Sequence, residues 1–245
     1  MSTPHLLHRW DLNPQEAIQL QRELASRVIR EGRPEAVKLI AGIDISANDR
    51  TGLARAAIVV LAYPSMQVLE WVLHEEALRF PYIPGLLSFR EAPSILAGFQ
   101  QLQHKPDLLM VDGQGIAHPR RLGIASHLGL LLDLPSIGCA KSILTGHLKG
   151  ELGQEVGAQV PLMADDEVLG VGLRTKARTN PLIISIGHCI SLEKAVDYVL
   201  QCCRGYRLPE PTRQAHNTAS GHPPGSKSTA ENAAPLQTPT LWENV

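Results

Sequence analysis

Cysteine is scarce. The four present, Cys139, Cys189, Cys202 and Cys203, follow neither the close pairing of a zinc site nor the even framework of a disulfide scaffold. They read as reduced thiols of an intracellular protein. No apolar run approaches the length of a membrane span, and the first residues hold no apolar stretch of signal-peptide length. The chain is therefore expected to be soluble and cytoplasmic, with no membrane partner. A large charge of either sign is missing as well, since the formal net charge is −1. That balance neither advertises nor excludes a nucleic-acid partner: a nuclease that works through a metal offsets its basic surface with acidic site residues. Internal repeats are absent. The 245 residues, 44% of them hydrophobic, suffice for one domain with a full core. From Asn217 to Val245 the chain turns to Ser, Thr, Pro, Gly and Ala with few apolar anchors, and a disordered tail is expected there.

What is present is an order of strands and helices. Asn13–Pro14–Gln15–Glu16 looks like a helix start, and Ala17, Leu20, Leu24 and Val28 recur at helical spacing up to Gly32 and Pro34. No chemistry is assigned to this segment. Lys38–Ser46, Ala54–Ala62 and Met66–Leu78 read as three strands of an antiparallel meander, the last with Val68, Trp71 and Leu73 as inward candidates. A helix is expected over Leu86–Leu102, a strand over Pro106–Val111, a helix over Leu122–Leu132 and a strand over Ser136–Lys141. Strands over Asp165–Arg174 and Pro181–Ile186 follow, then a helix capped by Ser191. His188 is expected to bond to backbone in the joining loop.

Several residues do not fit a purely structural account. Asp44 interrupts an apolar run that should be core, and a buried carboxylate needs a partner, a metal or a proton. Asp112 ends a second apolar run and is followed by Gly113, where a charged ligand can approach the backbone closely. Where a first and a fourth strand are neighbours, the two aspartates lie side by side. This is the ribonuclease-H-like plan, an α/β fold with a mixed sheet flanked by helices. Adjacent carboxylates repel unless a cation lies between them. Mg²⁺ suits such a pair, and can activate water for phosphodiester hydrolysis. Glu91 falls near the start of its helix, where an acid also has an easy structural role. The stiff loop Pro81–Tyr82–Ile83–Pro84 carries an aromatic fit to wedge between stacked bases. Basic residues gather at His118–Arg120–Arg121, at Lys141, and at Arg174–Lys176–Arg178.

Taken together, these stretches resemble the endonuclease V (deoxyinosine 3′ endonuclease) family. The resemblance rests on Ala41–Asp44, on Pro81–Gly85 with Phe89–Arg90–Glu91, and on Val111–Gly113 running to His118–Arg121. It continues in Gly138–Ser142, Gly187–His188 and Glu210–His216, all in the family's order. It implies a catalytic domain over residues 1–216 that recognises deaminated bases in DNA, hypoxanthine above all. Such an enzyme hydrolyses the second phosphodiester bond 3′ to the lesion. Residue by residue, it implies Asp44 and Asp112 as metal ligands for Mg²⁺, with Mn²⁺ as a substitute. Glu91, Lys141 and His216 become further catalytic residues. Tyr82 with Pro81, Ile83 and Pro84, and His118 with Arg120 and Arg121, become DNA contacts. Gly113 and Gly138 are expected to line the pocket for the flat purine, and the chain to act as a monomer.

Three alternatives stay open at this point. The family includes members acting on inosine in RNA. A non-catalytic nucleic-acid binder would use the same basic clusters without needing acids at strand ends. An actin-like ATPase also opens with Gly42–Ile43–Asp44, but it needs a duplicated domain and a second phosphate loop that are not here.

Overall fold

The computed structural model describes residues 7–225, apart from 33, 35 and 49. A nine-stranded mixed sheet forms its centre, in the order β3-β2-β1-β4-β5-β9-β8-β7-β6. Its first three strands, β1 (Leu39–Asn48), β2 (Leu53–Ala62) and β3 (Gln67–Ala77), make the expected meander. β4 (Leu108–Val111) and β5 (Ser136–Ala140) then add in parallel to β1, and β9 (Leu182–His188) closes on β5 antiparallel. β8 (Glu167–Leu173), β7 (Gln159–Ala164) and the two-residue β6 (His147–Leu148) extend the far side.

The central strands are apolar on both faces because helices cover both. Ile40, Leu108, Met110 and Ile137 face one core, shared with α4 (Leu192–Gln201) and with Ala215 of α5 (Glu210–Ala219). Ala41, Ile43, Leu109 and Val111 face the other, under α2 (Leu87–Phe99) and α3 (Ile124–Leu132). α1 (Pro14–Ala25) begins on the expected cap: Asn13 accepts from the Gln15 and Glu16 N–H groups, and Glu16 accepts from Asn13 N–H in return.

Some expectations are corrected. Trp71 stands 41% exposed on the edge strand β3 rather than inward. The helix read over 86–102 spans Leu87–Phe99. Two strands were missed. β7 carries Pro161, which argues against a strand except at an edge or bulge, and β6 is too short to leave a pattern. Helix α5 was missed as well, since Glu210–Ala219 offers only two alanines as apolar residues; it packs by small groups at Thr212, Ala215 and Thr218. That helix runs through Asn217 to Ala219, beyond where the tail was expected to begin, and the rest of the expected tail, from 226, lies outside the described residues. Among the described residues no helix is long and apolar enough to cross a membrane.

Candidate metal centre and base cavity

β1 and β4 pair with Ile43 opposite Val111, and the Asp112 N–H donates to the Ile43 carbonyl at 2.8 Å. The next residue on each strand is an aspartate, so Asp44 and Asp112 stand side by side. Both lie on the face that α5 covers. The helix can come that close because Gly42 has no side chain: a Cβ there would sit 1.9 Å from the Pro211 carbonyl oxygen. One and a half turns along α5, His216 Nδ1 donates to Asp44 Oδ2 at 2.8 Å. The Ile45 N–H satisfies Asp44 Oδ1 at 2.8 Å. Lys141, just past the end of β5, places Nζ 2.5 Å from Asp112 Oδ2 and 3.3 Å from His216 Nδ1. One ligand atom from each of Asp44, Asp112 and His216 lies within 4.8 Å of the others.

The electrostatics fit a cation. Burial, then the neighbouring Asp112, pushes the Asp44 carboxyl up, while His216 and Lys141 pull the other way. Burial raises Glu91 to about 8, with help from the charges of Asp44 and Asp112 and against that of Arg90. Glu91 sits in α2 beyond its first turn and is buried, so the easy role of an acid at a helix start does not apply. Asp112 Oδ2 is buried and makes no hydrogen bond of proper geometry, although the Lys141 ammonium lies beside it. Two carboxylates, one of them with a buried unsatisfied oxygen, and an imidazole form a cluster that could hold a metal ion.

A cavity of about 330 Å³ opens beside this centre, and Asp112 and Lys141 form part of its wall. Tyr82, 64% exposed, stands at it with Ile83, Pro84 and Gly85. The helix starts at Leu87–Ser88 of α2 and Gly123–Ile124 of α3 also reach it. Neither helix has a side-chain cap; the Phe89 and Ala125 N–H groups are taken by the Leu86 and Gln114 carbonyls, while among the described residues no protein acceptor takes those of Leu87, Ser88 and Ile124. Gly113 lines the cavity. Gly138 does not: a Cβ there would lie 2.4 Å from the Gly115 nitrogen, so its bareness serves the packing of the Asp112–Gly115 turn on β5.

The basic run after Asp112 is bonded within the chain. His118 is 3% exposed and donates from Nε2 to the Gly85 carbonyl at 3.0 Å, while its Nδ1 accepts the Arg120 N–H at 3.1 Å. Burial and the two neighbouring arginines lower it to about 4, so it is neutral and cannot serve as a cationic phosphate contact. Arg120 bonds the Gly85 carbonyl and the Gln21 side chain; Arg121 bonds the His118 and Pro119 carbonyls and Glu167. Arg174 is buried against the Gly153 and Thr179 carbonyls. His188 takes the Ile29 N–H on Nδ1 at 3.2 Å, a backbone bond as expected, though from the end of β9. Sequence reasoning missed Leu87, Ser88, Gly123 and Ile124 as cavity walls. Only the glycine before α3 hinted at them.

A ribonuclease-H-like sheet whose neighbouring central strands set two carboxylates side by side is the architecture of a metal-dependent nuclease. The family model for Endonuclease V matches residues 22–217. An endonuclease V of Gloeobacter violaceus is 56% identical over 213 residues, 86% of this chain and 87% of that one. The crystal structure of the Streptomyces avermitilis enzyme superposes with a TM-score of 0.81 at 38% identity, covering 86% of this chain and 93% of that one. That of Ciona intestinalis, solved with a 23mer DNA containing an inosine followed by a ribo-adenosine, gives 0.75 at 28%, covering 86% and 98%. The chain belongs to the endonuclease V family, and is a DNA-repair endonuclease that hydrolyses phosphodiester bonds.

Proposed function

We propose that the protein nicks DNA at the second phosphodiester bond 3′ to a deoxyinosine, with Mg²⁺ held by Asp44 and Asp112. The observation that carries this reading is continuity: one cavity is lined both by the Tyr82 loop and by Asp112 and Lys141. An extruded base and the scissile phosphate of the same strand then have adjoining places. Tyr82, with Pro81, Ile83 and Pro84, fills the gap the base leaves in the stack. The first-turn N–H groups of α2 and α3 donate to the 6-carbonyl of hypoxanthine. The 6-amino group of adenine would meet donors with a donor, which leaves buried groups unpaired and excludes the undamaged base.

The bound cation supplies an activated water and charge stabilisation at the leaving oxygen. The chain's own residues do the rest. Asp44 and Asp112 hold their carboxylates side by side on rigid strands. His216 orients Asp44 through its Nδ1. Lys141 offers a cation at the phosphate once Asp112 is engaged elsewhere. Glu91, kept protonated by its buried place next to two acids, is able to give up its proton to a basic partner when a cation enters. The four free thiols support a cytoplasmic setting, and the protein acts as a monomer on its nucleic acid.

The test uses duplexes with a single inosine, labelled at the 5′ end, with Mg²⁺ or with EDTA. A matched adenosine duplex and an inosine-containing RNA serve as comparisons. One product, cut at the second bond 3′ to inosine and only with metal, is expected. Preferential cleavage of the RNA would move the substrate to the inosine endoribonuclease alternative, and binding without cleavage under Mg²⁺ would reduce the protein to a binder.

A further inference from the structure

Gln21 is a buried amide on the first helix, 1% exposed, with every hydrogen-bonding group engaged. Its Nε2 donates to the Gly85 carbonyl at 2.9 Å and to the Leu122 carbonyl at 2.8 Å. Its Oε1 accepts from Arg120 Nε. Gly85 ends the Tyr82 loop, one part of the cavity's lining; Leu122 leads into Gly123–Ile124, a second part of it. A single side chain therefore ties the two walls together. The Gly85 end is the more heavily held, because the same carbonyl also accepts from His118 Nε2 at 3.0 Å and from Arg120 Nη2 at 2.7 Å. Three donors on one carbonyl, with Gly85 itself at φ +79°, fix where the loop turns back toward α2.

We infer that Gln21 is a positioning residue that sets the spacing between the cavity's two walls, and with it the width of purine the enzyme accepts. This inference rests on the base-cavity reading above. A flat purine has to enter between the Tyr82 loop and the start of α3, and the one Gln21 amide group donates to a backbone carbonyl on each. A residue that only filled space would act through its volume; Gln21 acts through two N–H groups pointing at two different segments. His118 and Arg120 support one end of the tie, which accounts for their inward placement.

The experiment compares wild type with Gln21→Met and Gln21→Glu on duplexes carrying hypoxanthine or xanthine, which adds a second carbonyl to the ring. The Met variant keeps the length and loses both ties. Its KM for the inosine duplex is expected to rise about tenfold with little change in kcat, and its preference for hypoxanthine over xanthine to shrink. Gln21→Glu keeps the shape and the acceptor for Arg120, but turns carboxylate oxygens toward two carbonyls. It should be the worse of the two, and worse at pH 8.5 than at pH 6, where a protonated carboxyl still donates once. A space-filling role ranks them the other way and shows no such pH effect. Should the Gln21 variants fail to fold, Arg120→Lys removes the guanidinium bonds to both Gly85 and Gln21 and should move KM and preference the same way by a smaller factor. KM and base preference within about twofold of wild type in a folded variant overturn the inference. If wild type itself does not separate inosine from adenosine, the base-cavity reading is what fails.

Discussion

The metal centre and the base cavity adjoin, yet they are built on opposite principles. At the metal centre, two carboxylates are held together, Asp44 is driven up by burial and by its neighbour, and a buried oxygen of Asp112 lacks a proper hydrogen bond. Behind the cavity the supporting polar groups are paired: Gln21 is saturated, His118 uses both ring nitrogens, and the Gly85 carbonyl takes three donors. One region stays electrostatically unsatisfied until a cation arrives. The other has its supports tied before any ligand does. Chemistry here depends on stored repulsion, and recognition depends on a shape that does not relax.

The contrast can be broken most severely at the acids. Asp112→Asn or Asp44→Asn should lower the cleavage rate by at least about a thousandfold, measured in single turnover with Mg²⁺, because the cation loses half of its carboxylate pair. The same Asp44→Asn change should leave the metal-free protein no less stable, and by up to about 1 kcal/mol more stable in urea, since the relieved burial and repulsion of the charge outweigh the weakened His216 bond. A destabilised metal-free Asp44→Asn variant would mean the centre is not strained.

Acid sharpens the other half. The His118 side chain titrates at about 4 in the folded protein against about 6.5 when free. The unfolded chain therefore binds this proton first, and stability should fall as pH drops from 6.5 towards 4, by about 3 kcal/mol from His118 alone. His127, fully buried and lowered to about 3 by burial and by His8, adds a loss of the same sign. Denaturant midpoints between pH 7 and pH 4 measure the sum, and His118→Asn should flatten the curve over that window. The smallest effect is expected at the wedge. Tyr82→Ala should cost roughly tenfold in kcat/KM on duplex substrate, about one lost stacking contact. It should cost less on single-stranded inosine substrate, where no stack has to be filled. Equal losses on both would remove the wedge role.

The sequence made the centre legible more fully than the cavity, and the reason is distance along the chain. Asp44 and Asp112 each interrupt or end an apolar strand, a local signal that needs only the order of strands to bring them together. The meander and the β4–α3–β5 run could be read the same way. Gln21 looks like any polar residue of an amphipathic helix. Its partners, Gly85 and Leu122, lie 64 and 101 residues away and are backbone carbonyls, which carry no residue-type signature. His118, Arg120 and Arg121 mislead for a related reason. A basic run beside a metal site reads as a phosphate contact, and only the fold shows its donors turned onto the chain's own carbonyls. α5 stayed hidden because it packs through small residues, which leave no hydrophobic period.

Gly42 deserves a last consequence. The bare α-carbon there is the reason a C-terminal helix can rest on the middle of the sheet and bring an imidazole to Asp44. Alanine at this position, a change of one methyl group, would lift the helix like a pebble under a door. The imidazole would be carried off Asp44 with it, so one carbon and two hydrogens separate this centre from one without its histidine.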